Sequence, residues 1–296
     1  MLVADVIGQI EAVAPPSNAL EWDNVGLQVG AADTRCLGVL VCLEVTPAVA
    51  DEAARVGANL IVSHHPLIFR PLPALRTDLP LGALIERLLA DGAAVYAAHT
   101  NLDAAPRVGT AAALADALGM GETRPLLLDG EIGFGAVGNL PGGPRVELLV
   151  EQVRRALRPA HVTVVGDMQR AVRSLALMPG SGGDAVEAAA AAGADALLCG
   201  DLKHHDALDA LALGLTVIDA THYATERPVV GTLAAHLRDC VPATVPVVES
   251  EVVTDPFAPR SADEGGLCTT FPDSPQPGVK AYDARGLPEA LPITDR

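Results

Sequence analysis

The sequence predicts an α/β protein made of two similar-sized α/β domains with largely parallel or mixed sheets. Three observations carry that expectation. Short, wholly apolar runs of strand length alternate with stretches of helical period, which is the rhythm of a buried, largely parallel sheet. The chain has 296 residues, and at about 150 residues per domain this predicts about two domains. Hydrophobic residues make up 50% of the chain but aromatics only 3%, so the core must be built from Ala, Val and Leu, which suits helices stacked closely on a sheet.

Val3, Val6, Ile7, Ile10 and Val13 recur at three-to-four-residue spacing, so the chain opens with an amphipathic helix that Pro15-Pro16 ends. Trp22 to Gly30 reads as a turn running into a short strand. The alternation then sets in with a strand (Leu37–Leu43), a helix from Pro47, a strand (Asn59–Ser63), a helix (80–91), a strand (Ala93–Ala98) and a helix (106–118). These elements form a first domain, 1–125. A second unit, 126–254, begins with a strand near 132–140, a helix (146–157), strands near 162–165 and 173–178, and a helix (184–192). It continues with a strand (Asp195–Cys199), a helix (203–213), a strand (Leu215–Ile218), a helix from near Thr225 and a last strand at Val245–Val248. From Asp255 to Arg296, seven Pro and four Gly among 42 residues, without sustained periodicity, predict a poorly ordered tail.

The charge balance is 20 basic against 37 acidic residues, a net charge of −17. No stretch concentrates Lys or Arg, so non-specific nucleic-acid binding, which depends on neutralising phosphates, is not expected. The longest apolar stretches, such as Leu37 to Leu43, are far too short to span a membrane. The first fifteen residues carry Asp5 and Glu11 and no Lys or Arg, unlike the basic start of a secretory signal, so a cytoplasmic location is expected. Cys36, Cys42, Cys199, Cys240 and Cys268 form an odd set without Cys-x-x-Cys spacing and read as reduced thiols.

Four apolar strands end in metal-type ligands. Ile61-Val62-Ser63 leads to His64-His65-Pro66, and Val95-Tyr96-Ala97-Ala98 leads to His99-Thr100-Asn101-Leu102-Asp103. Leu197-Leu198-Cys199 leads to Gly200-Asp201-Leu202-Lys203-His204-His205, and Val217-Ile218 leads to Asp219-Ala220-Thr221-His222. Six of the eight histidines lie in these segments, and the crevice beyond the carboxyl ends of parallel strands is where open α/β sheets bind ligands. Each segment also has a plain reading. His64-His65 could be a hydrogen-bonded loop, Asp103 a helix cap, His204-His205 solvent-facing, and His222 and Glu226, four apart, a surface ion pair. Independent accidents at four strand ends are harder to accept than one shared site.

Such a site offers imidazole nitrogen and carboxylate oxygen without thiolate, which suits Zn, Fe, Mn, Co or Ni. Adjacent residues such as His64 and His65 rarely reach one ion from regular backbone, whereas two neighbouring ions can each take one. A carboxylate such as Asp103 or Glu226 can then bridge them, the arrangement that clamps an attacked phosphoryl or carbon centre. Pro179-Gly180-Ser181-Gly182-Gly183-Asp184 adds either a cradle of amides for an anion at a helix start or a flexible turn with Asp184 as the helix cap.

Trp22-Asp23-Asn24-Val25-Gly26-Leu27, His64-His65-Pro66-Leu67-Ile68-Phe69, His99-Thr100-Asn101-Leu102-Asp103, Gly200-Asp201-Leu202-Lys203-His204-His205 and His222-Tyr223-Ala224-Thr225-Glu226 occur in this order. With them the sequence resembles the GTP cyclohydrolase I type 2 homologue family, also called Nif-three-like, over about residues 3–254. The resemblance implies a two-domain subunit, a ring-like homohexamer and a dinuclear divalent-metal site facing an internal cavity. Carried over to this chain, the metal ligands are His64, His65, Asp103, His222 and Glu226. His99, Asp201, His204 and His205 fall on the family's other polar motif positions and are read as steadying the ligands or touching substrate, with His99 or His204 moving the proton. Longer relatives carry an extra domain between the halves, for which the junction near 126–130 leaves no room. The expected function is a metal-dependent hydrolase of a small phosphorylated or nucleotide-like substrate. The alternative is a non-catalytic metal-binding, regulatory or metal-carrier protein, which the same ligands would serve equally well.

Overall fold

The structure is a computed structural model that describes residues 1–257. The tail expected from residue 255 therefore falls outside the described residues apart from its first three positions, as does Cys268. The elements of the first half are α1 (Val3–Glu11), β1 (Gly26–Val29), β2 (Val39–Cys42), α2 (Pro47–Val56), β3 (Leu60–Ser63), α3 (Pro80–Ala90), β4 (Ala94–Ala97), α4 (Thr100–Asp103) and α5 (Thr110–Ala117). The second half opens with β5 (Thr123–Arg124), β6 (Leu127–Asp129), β7 (Ile132–Phe134), β8 (Ala136–Asn139), α6 (Val146–Leu157), β9 (Thr163–Val165) and β10 (Ser174–Ser181). It closes with α7 (Val186–Ala191), β11 (Ala196–Gly200), α8 (His204–Ala212), β12 (Thr216–Asp219), α9 (His222–Glu226), α10 (Pro228–Cys240) and β13 (Val247–Glu249).

Two mixed sheets organise the molecule. The first has the order β1-β4-β3-β2-β13, with β1 antiparallel to β4 and the other neighbours parallel. The second has the order β5-β8-β10-β11-β12-β9; β10, β11 and β12 are parallel, and the flanking strands run antiparallel. β2, β3 and β4 are buried at every position, because helices cover both faces and leave no side for polar alternation. Cys36, Cys42 and Cys199 are free and buried, while Cys240 is exposed. No helix among the described residues is long and apolar enough to cross a membrane.

Several local expectations shift. The helix expected over 106–118 starts later, as α5 from Thr110, and an additional short helix precedes it: the Asp23 carboxylate accepts the Thr100 amide where α4 starts after β4, while Pro106 disfavours helix at the preceding residue. The strand expected near 132–140 bends at Gly135 into β7, which pairs with β6, and β8, which joins the large sheet. The last strand does not close the second round. β13 lies parallel to β2 with Val247 opposite Val39, where it covers an edge that would otherwise expose unpaired amides and carbonyls.

The halves also exchange helices. α10 places Val229, Val230, Leu233 and Leu237 in the same core as α1 and the first sheet. α5 places Ala111 and Leu114 in the core of the second sheet beside α6. The carboxyl ends of both sets of parallel strands consequently open onto one crevice, where His65 and His222 meet across 3.4 Å between their Nε2 atoms.

Candidate metal centre

Four imidazoles converge in this crevice, and each is held by the same device. His64 donates Nδ1–H to Ala98 O at 2.9 Å, His65 to Glu44 Oε1 at 3.0 Å, His99 to Asp23 Oδ1 at 2.9 Å and His222 to Asp201 Oδ2 at 2.7 Å. An oxygen on one ring nitrogen fixes the ring and leaves the other nitrogen to the centre, the usual support behind a metal-binding histidine. The rings are close, with centroids 4.9 Å apart for His64 and His65, 5.1 Å for His64 and His99, and 5.3 Å for His65 and His222.

Glu226 lies at their centre and is only 5% exposed. Its Oε1 is 3.8 Å from His64 Nε2, while its Oε2 is 3.0 Å from His65 Nε2 and 3.1 Å from His222 Nε2. Asp103 brings Oδ1 to 3.7 Å from His64 Nε2, and the Thr110 hydroxyl donates to that oxygen at 2.6 Å. Two triads have one ligand atom each within 4.8 Å of one another: His64, His65 and His99, and His65, His222 and Glu226. His65 belongs to both.

The electrostatics follow from this crowding. Burial works to raise the Glu226 carboxyl, but the imidazoles of His222, His64 and His65 outweigh it and hold the group well below the usual carboxylate range. Burial likewise works to lower His65, yet Glu226 and Glu44 push it up to about 10. For His222, Glu226 and Asp201 overcome burial and the neighbouring His65, and push the ring up to about 9. In spite of these attractions, His64 Nε2 and Glu226 Oε2 are buried and make no hydrogen bond. Buried polar atoms without partners are costly. Two of them aimed into a cluster of nitrogen and oxygen donors fit a cation.

The backbone is shaped to bring Glu226 and His222 there. Thr221 and Asp201 have φ of +69° and +50°, values that cost about 1–3 kcal/mol for residues other than glycine. Asp219, at the end of β12, ties the two turns together by accepting the Leu202 amide and the Thr221 amide, each at 2.9 Å. Gly180 has φ +70°, and a Cβ there would lie 2.2 Å from Glu226 Oε1; one on Gly200 would lie 2.5 Å from the His222 amide nitrogen. These glycines let the chain pass the site closely. In the glycine-rich segment the Gly180 and Gly182 amides are consequently turned to the protein's own oxygens. β10 continues to Ser181, and the Gly180 and Gly182 amides donate to Thr225 Oγ1 and Gly200 O, both at 3.0 Å.

The family model of Duf34/NIF3 (NGG1p interacting factor 3) matches residues 1–256. The chain belongs to this family. Among NIF3-family relatives, a Clostridium perfringens protein described as a GTP cyclohydrolase 1 type 2 homolog is 31% identical, over 87% of this chain and 99% of the relative. A Nostoc protein of the same description is 37% identical, over 80% of this chain and 92% of its own. The Bacillus cereus protein related to NIF3 superposes with a TM-score of 0.82 at 27% identity, covering 87% of this chain and 98% of that one. A Staphylococcus aureus protein superposes at 0.81 with 29% identity, covering 88% and 99%.

Within this NIF3-family fold the structure gathers His64, His65, His99, Asp103, His222 and Glu226, and sets Asp201 behind His222. It does not gather all of the histidines singled out in the sequence. His204 and His205 are exposed in the first turn of α8, with ring centroids 5.4 Å apart. Among the described residues, no hydrogen bond, ion pair or ring contact joins them to the cluster. Sequence reasoning passed over Glu44 as a site residue, although it stands two residues past β2 as His65 stands two past β3. It also gave no separate role to Asp23, although its quoted motif contains that residue. Asp23 holds His99 and accepts both the amide and the hydroxyl of Thr100, at 3.0 and 2.6 Å. Burial works to raise its carboxyl, but His99 and Thr100 hold it down to about 2.

Proposed function

We propose that the protein binds two divalent metal ions and is a metal-dependent hydrolase of a small phosphorylated or nucleotide-like substrate. The observation that carries this reading is the pair of buried atoms that make no hydrogen bond, His64 Nε2 and Glu226 Oε2, inside a cluster of imidazoles each already held through Nδ1. The residues that would hold the ions are His64, His65, Asp103, His222 and Glu226. Glu226 turns one oxygen to His64 and the other to His65 and His222, which supports its being shared between two ions. The donors are nitrogen and oxygen, which suits Zn, Fe, Mn, Co or Ni. When bound, such ions supply Lewis acidity, making water more acidic near neutral pH and offsetting the charge of an anionic substrate in an otherwise acidic protein.

The chain's own groups orient and carry protons. Glu44, Asp201 and the Ala98 carbonyl keep the ligand rings in place. His99, fixed by Asp23 through Nδ1, has its other nitrogen free to take or give a proton beside His64 and His65. Of the two histidines expected to move the proton, this placement favours His99, since His204 stands exposed on α8. In the same reading, residues 1–125 and 126–254 are two domains that exchange helices and β13 and share this site at their seam. The protein is cytoplasmic and assembles as a homohexamer, which sedimentation would check.

Elemental analysis and anomalous scattering at several absorption edges, on protein made without chelator, test the metal reading. The expected result is two ions per chain, lost in Glu226→Ala, with metal-dependent turnover of some member of a panel of nucleotides and phosphoesters. Unchanged metal content in Glu226→Ala would overturn the ligand assignment. Bound metal that raises the melting temperature, without turnover of any compound, would favour a metal carrier or regulator instead.

A further inference from the structure

Beside the imidazoles lies an apolar surface that the proposed chemistry leaves unused. Trp22, the single tryptophan of the chain, is 60% exposed, and Phe69 is 49% exposed. Their ring centroids are 5.9 Å apart with planes at 65°. Each also meets His99 edge to face, at 6.0 Å and 6.1 Å. His99, the histidine placed to carry the proton, links this pair to the rings of His64 and His65, whose centroids lie 5.1 and 5.4 Å from its own.

Neither aromatic stands on loose chain. On one side of Trp22 the Leu20 amide donates to Thr100 Oγ1 at 3.0 Å, and on the other Asp23 is bonded to His99 and Thr100. The residue before Phe69 is clamped twice, since Asn24 Nδ2 donates to Ile68 O at 2.6 Å and the Ile68 amide donates to Gln28 Oε1 at 2.9 Å. Leu67 and Ile68 also pack against the core. In a protein whose aromatic Tyr96 is fully buried, two large rings thus stand in solvent at the edge of a cation-type site, on backbone pinned at neighbouring residues. Exposed apolar surface fixed next to convergent polar groups marks a binding surface.

We propose that Trp22 and Phe69 form the seat for a planar heteroaromatic ring whose attached anionic group faces the candidate metal centre. The anion's place rests on the metal reading above, while the ring's place rests on the aromatic geometry alone. Two walls at 65° admit a flat group that stacks on one and abuts the other, and an indole face stacks bases without regard to their sequence identity. Among common small molecules, a base joined to a phosphate has both parts.

Because Trp22 is the sole tryptophan, its fluorescence, excited at the red edge of indole absorption, reports on the seat directly. Metal-loaded full-length protein is titrated with adenosine and guanosine monophosphates, adenosine and ribose 5-phosphate. The nucleotides should quench Trp22 and bind roughly 5- to 150-fold more tightly than ribose 5-phosphate, the range that stacking one base supplies. Followed by calorimetry, Trp22→Ala should fall to the affinity of ribose 5-phosphate with metal content unchanged, and Trp22→Phe should recover most of the loss. In chelator-stripped protein, and in Glu226→Ala, quenching by adenosine should persist while ribose 5-phosphate no longer binds. Ribose 5-phosphate binding that is indifferent to metal would overturn the anion's placement and leave the ring seat standing. Equal affinity for nucleotides and ribose 5-phosphate, unaltered by Trp22→Ala, would overturn the seat. So would a smaller oligomer for Trp22→Ala with nucleotide binding intact, which would make this face a contact between copies of the chain.

Discussion

Two histidine pairs follow parallel strands of the two sheets, and the molecule treats them in opposite ways. His64-His65 come directly after β3. Their amides still donate to Cys42 O and Leu43 O at the end of β2, at 3.1 and 2.8 Å, so the chain stays tied to the sheet as it bends into the crevice, and His64 is 1% exposed. His204-His205 come after β11 by way of three further residues and fall in the first turn of α8, whose sole buried residue is Ala210. Their rings lean on each other in solvent. A His-His dipeptide therefore says little about its own role. What decides is whether backbone hydrogen bonds carry it past the sheet edge toward the opposite sheet, or a helix turns it outward.

The strongest way to break this contrast is to delete one group from each region. Glu226→Ala should abolish stoichiometric metal binding, because it removes the oxygens that face three imidazoles; elemental analysis reads the loss. The second effect is a pH dependence. His65 and His222, pushed up to about 10 and about 9, carry protons at neutral pH when no ion is bound, and an ion must displace them. Metal binding near neutral pH should thus release up to two protons, and apparent affinity should climb with pH by at most roughly 100-fold per unit until about pH 9–10. Calorimetry in buffers of different ionisation enthalpy counts the protons, and a count of zero would remove the ion from these rings.

A third, smaller effect sharpens the role of the supporting oxygens. Asp23→Asn should cost roughly 10- to 100-fold in turnover, because it releases the ring placed to carry the proton. It should also alter the acid limb of stability. With its folded pKa held to about 2, below the ordinary value of 3.8, Asp23 contributes stability that is present above pH 4 and lost as pH falls through 2; urea unfolding across that window should show the Asn variant lacking this term. Gly180→Ala should destabilise by at least about 1 kcal/mol, since its φ is +70° and its Cβ would meet Glu226 Oε1; a lowered urea midpoint checks it. The smallest effect belongs to the exposed pair. His204→Ala with His205→Ala should leave stability within about 0.5 kcal/mol and metal content unchanged.

The α/β alternation was legible because each buried strand is an apolar run of four or five residues bounded by polar text, and that is a local property. The candidate ligands were legible for a related reason, since metal-type residues gathered at strand ends, and in parallel strands those ends share an edge. The supporting oxygens were harder to read. Glu44 and Asp23 are ordinary acidic residues in sequence, 21 and 76 positions from the rings that they hold. The return of β13 was also hidden, because a short apolar strand carries no mark of the sheet that it will join.

By itself, then, the sequence determined the kinds of element, their order and the ligand chemistry waiting at the strand ends, all set by spacing and side-chain type over a few residues. Tertiary structure alone decided which imidazoles are buried, which oxygens hold them, that Glu226 lies among three of them, and that Trp22 and Phe69 stand together at the rim. Those outcomes depend on how two sheets face each other across long chain separations, and no local periodicity encodes that.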